Sequence, residues 1–148
     1  MGWIIGVGLV GAVMGLATSF GLPDSAEGPV WLAVFAVGAC LLAARGGRRF
    51  LTGLAAGCVM GALAPLVQAA LFDVYVSNHP QFLKEFEHGA VTIDPRLFLL
   101  LLALPSALGS GLVLGALTVA AGRLLKRPTR SDDRARAVSA AAPAPEAS

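Results

Sequence analysis

Residues 50–76 read FLTGLAAGCVMGALAPLVQAALFDVYV. About 20 apolar residues suffice for a helix to cross the hydrocarbon core of a bilayer. Inside that core every backbone polar group must find its partner within the segment, so the run is read as a helix. Three more apolar stretches, over 2–22, 29–44 and 97–122, accompany it in the 148-residue chain. Charged residues make up only 14% and hydrophobic ones 56%, against about 25% charged in a soluble domain. A soluble chain this short has no core large enough to hide four such runs. The expected fold is therefore all-α: one polytopic membrane domain over residues 1–126, with four transmembrane helices.

The charges are segregated. Arg45, Arg48 and Arg49 separate the second and third runs, and Arg123, Lys126, Arg127 and Arg130 follow the fourth. The other two connections are acidic on balance, with Asp24 and Glu27 in one, and Asp73, Glu85, Glu87 and Asp94 against Lys84 and Arg96 in the other. Basic connections stay on the cytoplasmic side. The expected placement is the cell membrane, multi-pass, with both termini cytoplasmic and the acidic connections outward. Topology and anionic headgroups explain the basic clusters without nucleic acid. The first run lacks the basic n-region and cleavage site of a signal peptide, so it is expected to be a retained helix. Gly6 stands where a myristoylation signal needs Ser or Thr.

Glycine spacing is the best-defined internal pattern. Gly53, Gly57 and Gly61 share one helix face, and Gly11/Gly15 and Gly111/Gly115 repeat the spacing in the first and fourth helices. Lipid tails are as apolar as leucine, so membrane helices associate where small residues let two backbones approach. The third helix is expected to be the central packing helix, with the first helix or a second copy of the chain against it. Gly11-Ala-Val-Met-Gly15 also matches Gly57-Cys-Val-Met-Gly61. Two readings stand side by side: a duplication of parallel helical hairpins, or coincidence among common membrane residues. Cys40 and Cys58 flank the Arg45–Arg49 turn. They read as small packing residues or as a thiol pair, and no CxxC or neighbouring His adds redox or metal chemistry.

Pro29 and Pro95 are expected to open the second and fourth helices. Pro65 and Pro105 lie inside helices and should kink them, with Ser106 and Ser110 placed to satisfy the freed carbonyls. The second helix, at 29–44, would be short for a full span unless Arg45 snorkels or the bilayer thins. The connection 77–96 begins Ser77-Asn-His-Pro80, an N-cap with proline behind it. A short amphipathic helix over 81–88 follows, with Gly89 as its C-cap. It either lies among the headgroups or folds back over the bundle. Residues 127–148, rich in Ala, Pro, Ser and charge, read as a disordered cytoplasmic tail.

Polar side chains gather around the two prolines. Gln68, Asp73, Tyr75, Ser106 and Ser110 are the candidate lining of an outward-facing polar cavity, and Thr18 and Ser19 lie near the same level. Gln68 continues the glycine face, so it points inward. Intramembrane polar residues mark such pathways; the competing reading is an interhelical hydrogen bond from Gln68 to Ser106. His79, Glu85 and His88 are too few for a closed zinc site, and no HExxH, nucleophile elbow or paired intramembrane carboxylate is present. No metal, cofactor or catalytic residue is expected. The leading functional expectation is a non-enzymatic packing or accessory component, partnered by lipid, by itself or by another membrane protein. A small channel or carrier using the polar cavity is the alternative. A membrane enzyme on a lipid or envelope substrate, working through Asp73, His79 and His88, comes third.

Overall fold

The computed structural model describes residues 2–87 and 93–125, which form helices and short connections with no strand among them. The elements are α1 (Gly2–Ser19), α2 (Asp24–Ala44), α3 (Arg49–Ala70), α4 (Phe72–Asn78), α5 (Pro80–Glu87) and α6 (Pro95–Leu125). Four of them, α1, α2, α3 and α6, are long and apolar enough to cross a membrane. Their outer surface fits that solvent: Leu32 is 72% exposed and Leu104 70%. Lipid covers such side chains at no cost, whereas water would not.

Several helix ends differ from the sequence expectation, each for a local reason. The first helix stops at Ser19 rather than at 22. Thr18 and Ser19 turn their hydroxyls back to the Met14 and Gly15 carbonyls at 2.9 and 2.8 Å, and Gly21 reverses the chain at φ 95°. Pro29 does not open α2. The helix starts at Asp24, where the Ala26 and Glu27 amides both donate to the Pro23 carbonyl, at 2.8 and 3.1 Å. Its 21 residues span about 30 Å at the α-helical rise, so the expected short span does not arise. At its far end Arg45 closes the helix, Gly46 and Gly47 turn at φ 74° and 80°, and the Arg45 guanidinium lies 3.3 Å from the centre of the Trp3 ring.

The expected helix 50–76 is two helices. It breaks at Leu71, with φ −102° and ψ 34°, and α4 follows. Arg96 braces the break by donating from Nε to the Ala69 carbonyl at 3.0 Å. Ser77 is not an N-cap; it sits within α4 and donates to the Val74 carbonyl at 2.8 Å. The amphipathic helix occupies Pro80–Glu87. Phe82 packs between Tyr75 and Phe86, and Phe86 meets Phe98 of α6 edge-on at 5.4 Å. The helix is thus folded back onto the bundle rather than free among headgroups. His88, Gly89 and the tail over 127–148 fall outside the described residues. The fourth long helix runs from Pro95 to Leu125, past both expected limits, and continues through Pro105 as α3 does through Pro65.

Helix α3 is central, packed most extensively against α6 and next against α1. Its glycine face meets α6, not α1. A side chain at Gly57 would strike the Ser110 backbone and the Gly111 Cα, and one at Gly53 would strike Gly115. A second seam joins α1 to α3: Gly11 lies against the Met60 backbone and Gly15 against Ala64. Close approach of this kind is what small residues provide in lipid. Cys58 lies over Gly111, and neither cysteine is bonded to the other. The four long helices meet in a core of Val7, Ala39, Leu42, Ala56, Met60 and Leu114, nearer the end that carries Arg45, Arg48 and Arg49. The two hairpins do not pack alike. Helices α3 and α6 form the largest interface, while α1 and α2 barely touch and α2 leans instead on α6.

Candidate functional site

Beyond the shared core, α2 and α3 part, and a cleft of about 440 Å³ opens between them over the floor of α6. It lies toward the end of the bundle opposite the Arg45–Arg49 turn. Its α3 wall is Gly61, Ala64, Pro65 and Gln68. Gly61 permits it to be narrow, since a side chain there would meet the Ser106 carbonyl and Ser110. The floor carries Ser106 and Ser110, with the exposed Gly109 between them. The α2 wall carries Glu27, Trp31 and Phe35, spaced one turn apart on one face. The Trp31 indole donates to Glu27 Oε1 at 3.3 Å, and the Trp31 and Phe35 rings lie 5.7 Å apart at 31°.

Three of the sequence-selected residues, Gln68, Ser106 and Ser110, come together here. Asp73 and Tyr75 do not. Asp73 sits exposed in the first turn of α4 because the helix breaks before it. Tyr75 turns away and stacks on His79 at 4.7 Å. Thr18 and Ser19 are buried elsewhere against their own helix carbonyls. Sequence reasoning misses Glu27, Trp31 and Phe35, because it starts the helix at Pro29 and leaves Glu27 in the loop before it. The available signal was Pro23 followed by Asp24 and Glu27, a proline and two acids suited to a helix N-terminus.

The polar groups of the cleft are unusual in what they do not bond. Thr18, Ser19, Thr52 and Thr118 all return their hydroxyls to a carbonyl four residues back. Among the described residues, neither the Ser106 and Ser110 hydroxyls nor the Gln68 amide has a hydrogen-bond partner; the expected Gln68–Ser106 bond and the bonds to proline-freed carbonyls are absent. An amide left without a partner in an apolar setting costs about 1–3 kcal/mol. Groups of this kind are satisfied by water or by the polar part of a ligand.

Known proteins supply no precedent: the chain matches no family model, no curated protein and no solved structure. The chemistry of the cleft therefore rests on its own residues. It offers two hydroxyls and an amide, which both donate and accept, and one carboxylate, which accepts. Among the described residues the rest of the lining is apolar or glycine. Among the described residues no three His, Cys, Asp or Glu side chains are close enough to hold a metal ion. Among the described residues the lining holds one carboxylate, Glu27, and no His, Lys, Cys or Asp. Two apolar grooves flank the bundle, one between α1 and α2 and one between α2 and α6.

Proposed function

We propose that this chain is a non-enzymatic membrane carrier that takes the polar head of a membrane-borne small molecule into the α2–α3–α6 cleft. The single observation that carries the reading is the set of unpartnered polar side chains, Gln68, Ser106 and Ser110, converging on one open space. An assembly role built on the glycine faces has less support, because Gly11, Gly15, Gly53, Gly57, Gly61 and Gly111 are already in contact within one chain. The basic end of the bundle, with Arg45, Arg48, Arg49 and Arg123, is assigned to the cytoplasm, and the cleft to the outward half of the cell membrane.

Cysteine accessibility tests this. With Cys40 and Cys58 replaced by Ala, a single cysteine is placed at Gly109, which faces open space, or at Leu108, its exposed neighbour. A small water-soluble thiol reagent added outside should label Gly109→Cys at least tenfold faster, and Gln68→Leu should slow that labelling. Equal rates at the two positions would sink the hydrated cleft. Labelling of a cysteine at Gly46 only from inside, and at Ser77 only from outside, checks the orientation.

A further inference from the structure

We infer that the occupant of the cleft is an amphiphilic cation, an ammonium head on an apolar tail; this rests on the carrier reading above. Among the described residues Glu27 is the one ionisable side chain in the lining. Among the described residues no Lys, Arg or His lines the cleft to neutralise it. Arg96, at the same end of the bundle, is turned to the Ala69 carbonyl, and Arg45, at the far end of α2, stacks on Trp3. Among the described residues the charge facing the cleft is therefore negative, and an anionic head would meet a carboxylate with no cation beside it.

The surroundings of Glu27 suit an organic cation. Trp31 fixes the carboxylate through its indole N–H and, with Phe35 one turn on, adds aromatic surface on the same wall. A carboxylate beside aromatic faces is the arrangement that attracts an ammonium, by direct charge and by the ring quadrupole. The neutral acceptors Gln68, Ser106 and Ser110 face it across the cleft.

A place for the tail adjoins. The groove between α2 and α6 shares Phe35 and Val113 with the cleft, and continues along Leu32, Ala36 and Leu117 toward the basic end. A head held at Glu27 thus leads its chain past Phe35 into an apolar trough that faces lipid. Head and tail sites adjoin at Phe35 and Val113, which neither an inorganic cation nor a compact sugar would use.

The test uses the full chain in uncharged maltoside micelles. Trp3→Phe leaves Trp31 as the single indole, since the chain has two tryptophans. Dodecyltrimethylammonium and dodecyl sulfate, equal in tail and opposite in charge, are titrated against Trp31 fluorescence. The expected result is saturable binding of the cation about tenfold tighter than of the sulfate, the factor that one partly screened charge contact supports. Glu27→Gln should bring the ratio close to one with unchanged helicity, while Gln68→Leu should weaken binding of the cation and leave the preference in place. Displacement of the bound cation by phosphatidylethanolamine would assign the natural head to a lipid, and its absence to a free hydrophobic cation. A preference that is missing, or that survives Glu27→Gln, overturns the inference. If Gly109→Cys still labels rapidly in that case, the carrier reading stands without it; slow labelling removes both.

Discussion

Substituting alanine at Gly57 and at Gly109 isolates what a glycine does in this bundle. At Gly57 the new Cβ would lie 2.7 Å from the Gly111 Cα, where ordinary contact begins at 3.4 Å. The atoms in the way are backbone, so no side chain can swing aside, and because the Ser110 carbonyl oxygen lies nearer still, α3 and α6 must part by at least about 0.7 Å. A gap of about 0.5–1 Å forfeits a quarter to a half of each dispersion contact. Overpacking of this kind costs about 1–3 kcal/mol. Alanine returns about 0.5–1 kcal/mol by its lower conformational entropy in the unfolded chain and its helix preference. The net expectation is a loss of up to about 2.5 kcal/mol. At Gly109 the Cβ would meet nothing within 4 Å, so only the gain of about 0.5–1 kcal/mol remains. Reversible unfolding by SDS in mixed micelles, followed by circular dichroism, measures both. Opposite signs are expected. A stabilised Gly57→Ala, or equal shifts at the two positions, would refute the claim that the α3–α6 seam depends on backbone contact.

Three further outcomes follow from particular contacts. Arg96→Gln removes the guanidinium from the Ala69 carbonyl; hydrogen exchange of the last turn of α3 should quicken, with a stability loss of about 1 kcal/mol after allowance for exposure. Asn78 donates to the Ser19 carbonyl at 3.0 Å and ties α4 to the end of α1, so Asn78→Ala should cost about 0.5–1.5 kcal/mol, read in the same micelle titration. Phe86→Ala strips α5 of its edge-on contact with Phe98. Limited proteolysis within Pro80–Glu87 should then accelerate while α1, α2, α3 and α6 keep their helicity, because about 0.5–1.5 kcal/mol of ring contact is lost locally. Unchanged proteolysis would show that α5 is held by something other than these rings.

Much of the architecture was legible because lipid imposes a simple rule. Length and hydropathy alone identify four spans, and the i, i+4 glycines mark the face on which α3 packs. Helix ends were less legible. Pro29 has the pattern of a helix boundary, yet the Pro23 carbonyl starts α2 more than a turn earlier. That shift moved Glu27 from a loop onto the wall of the cleft. Conversely, the break at Leu71 took Asp73 and Tyr75 away from it.

The sequence by itself determined that the chain is a four-span helical bundle with Arg45, Arg48, Arg49 and Arg123 at one end, because hydrophobic run length and charge segregation are local properties that need no knowledge of neighbours. Only the tertiary structure decided that α3 turns its glycines to α6, that α2 leans on α6 and parts from α3, and that Glu27, Trp31, Gln68, Ser106 and Ser110 share one space. In lipid the hydrophobic effect does not choose which helices touch; backbone approach and side-chain shape do, and those depend on pairs of helices rather than on any one segment.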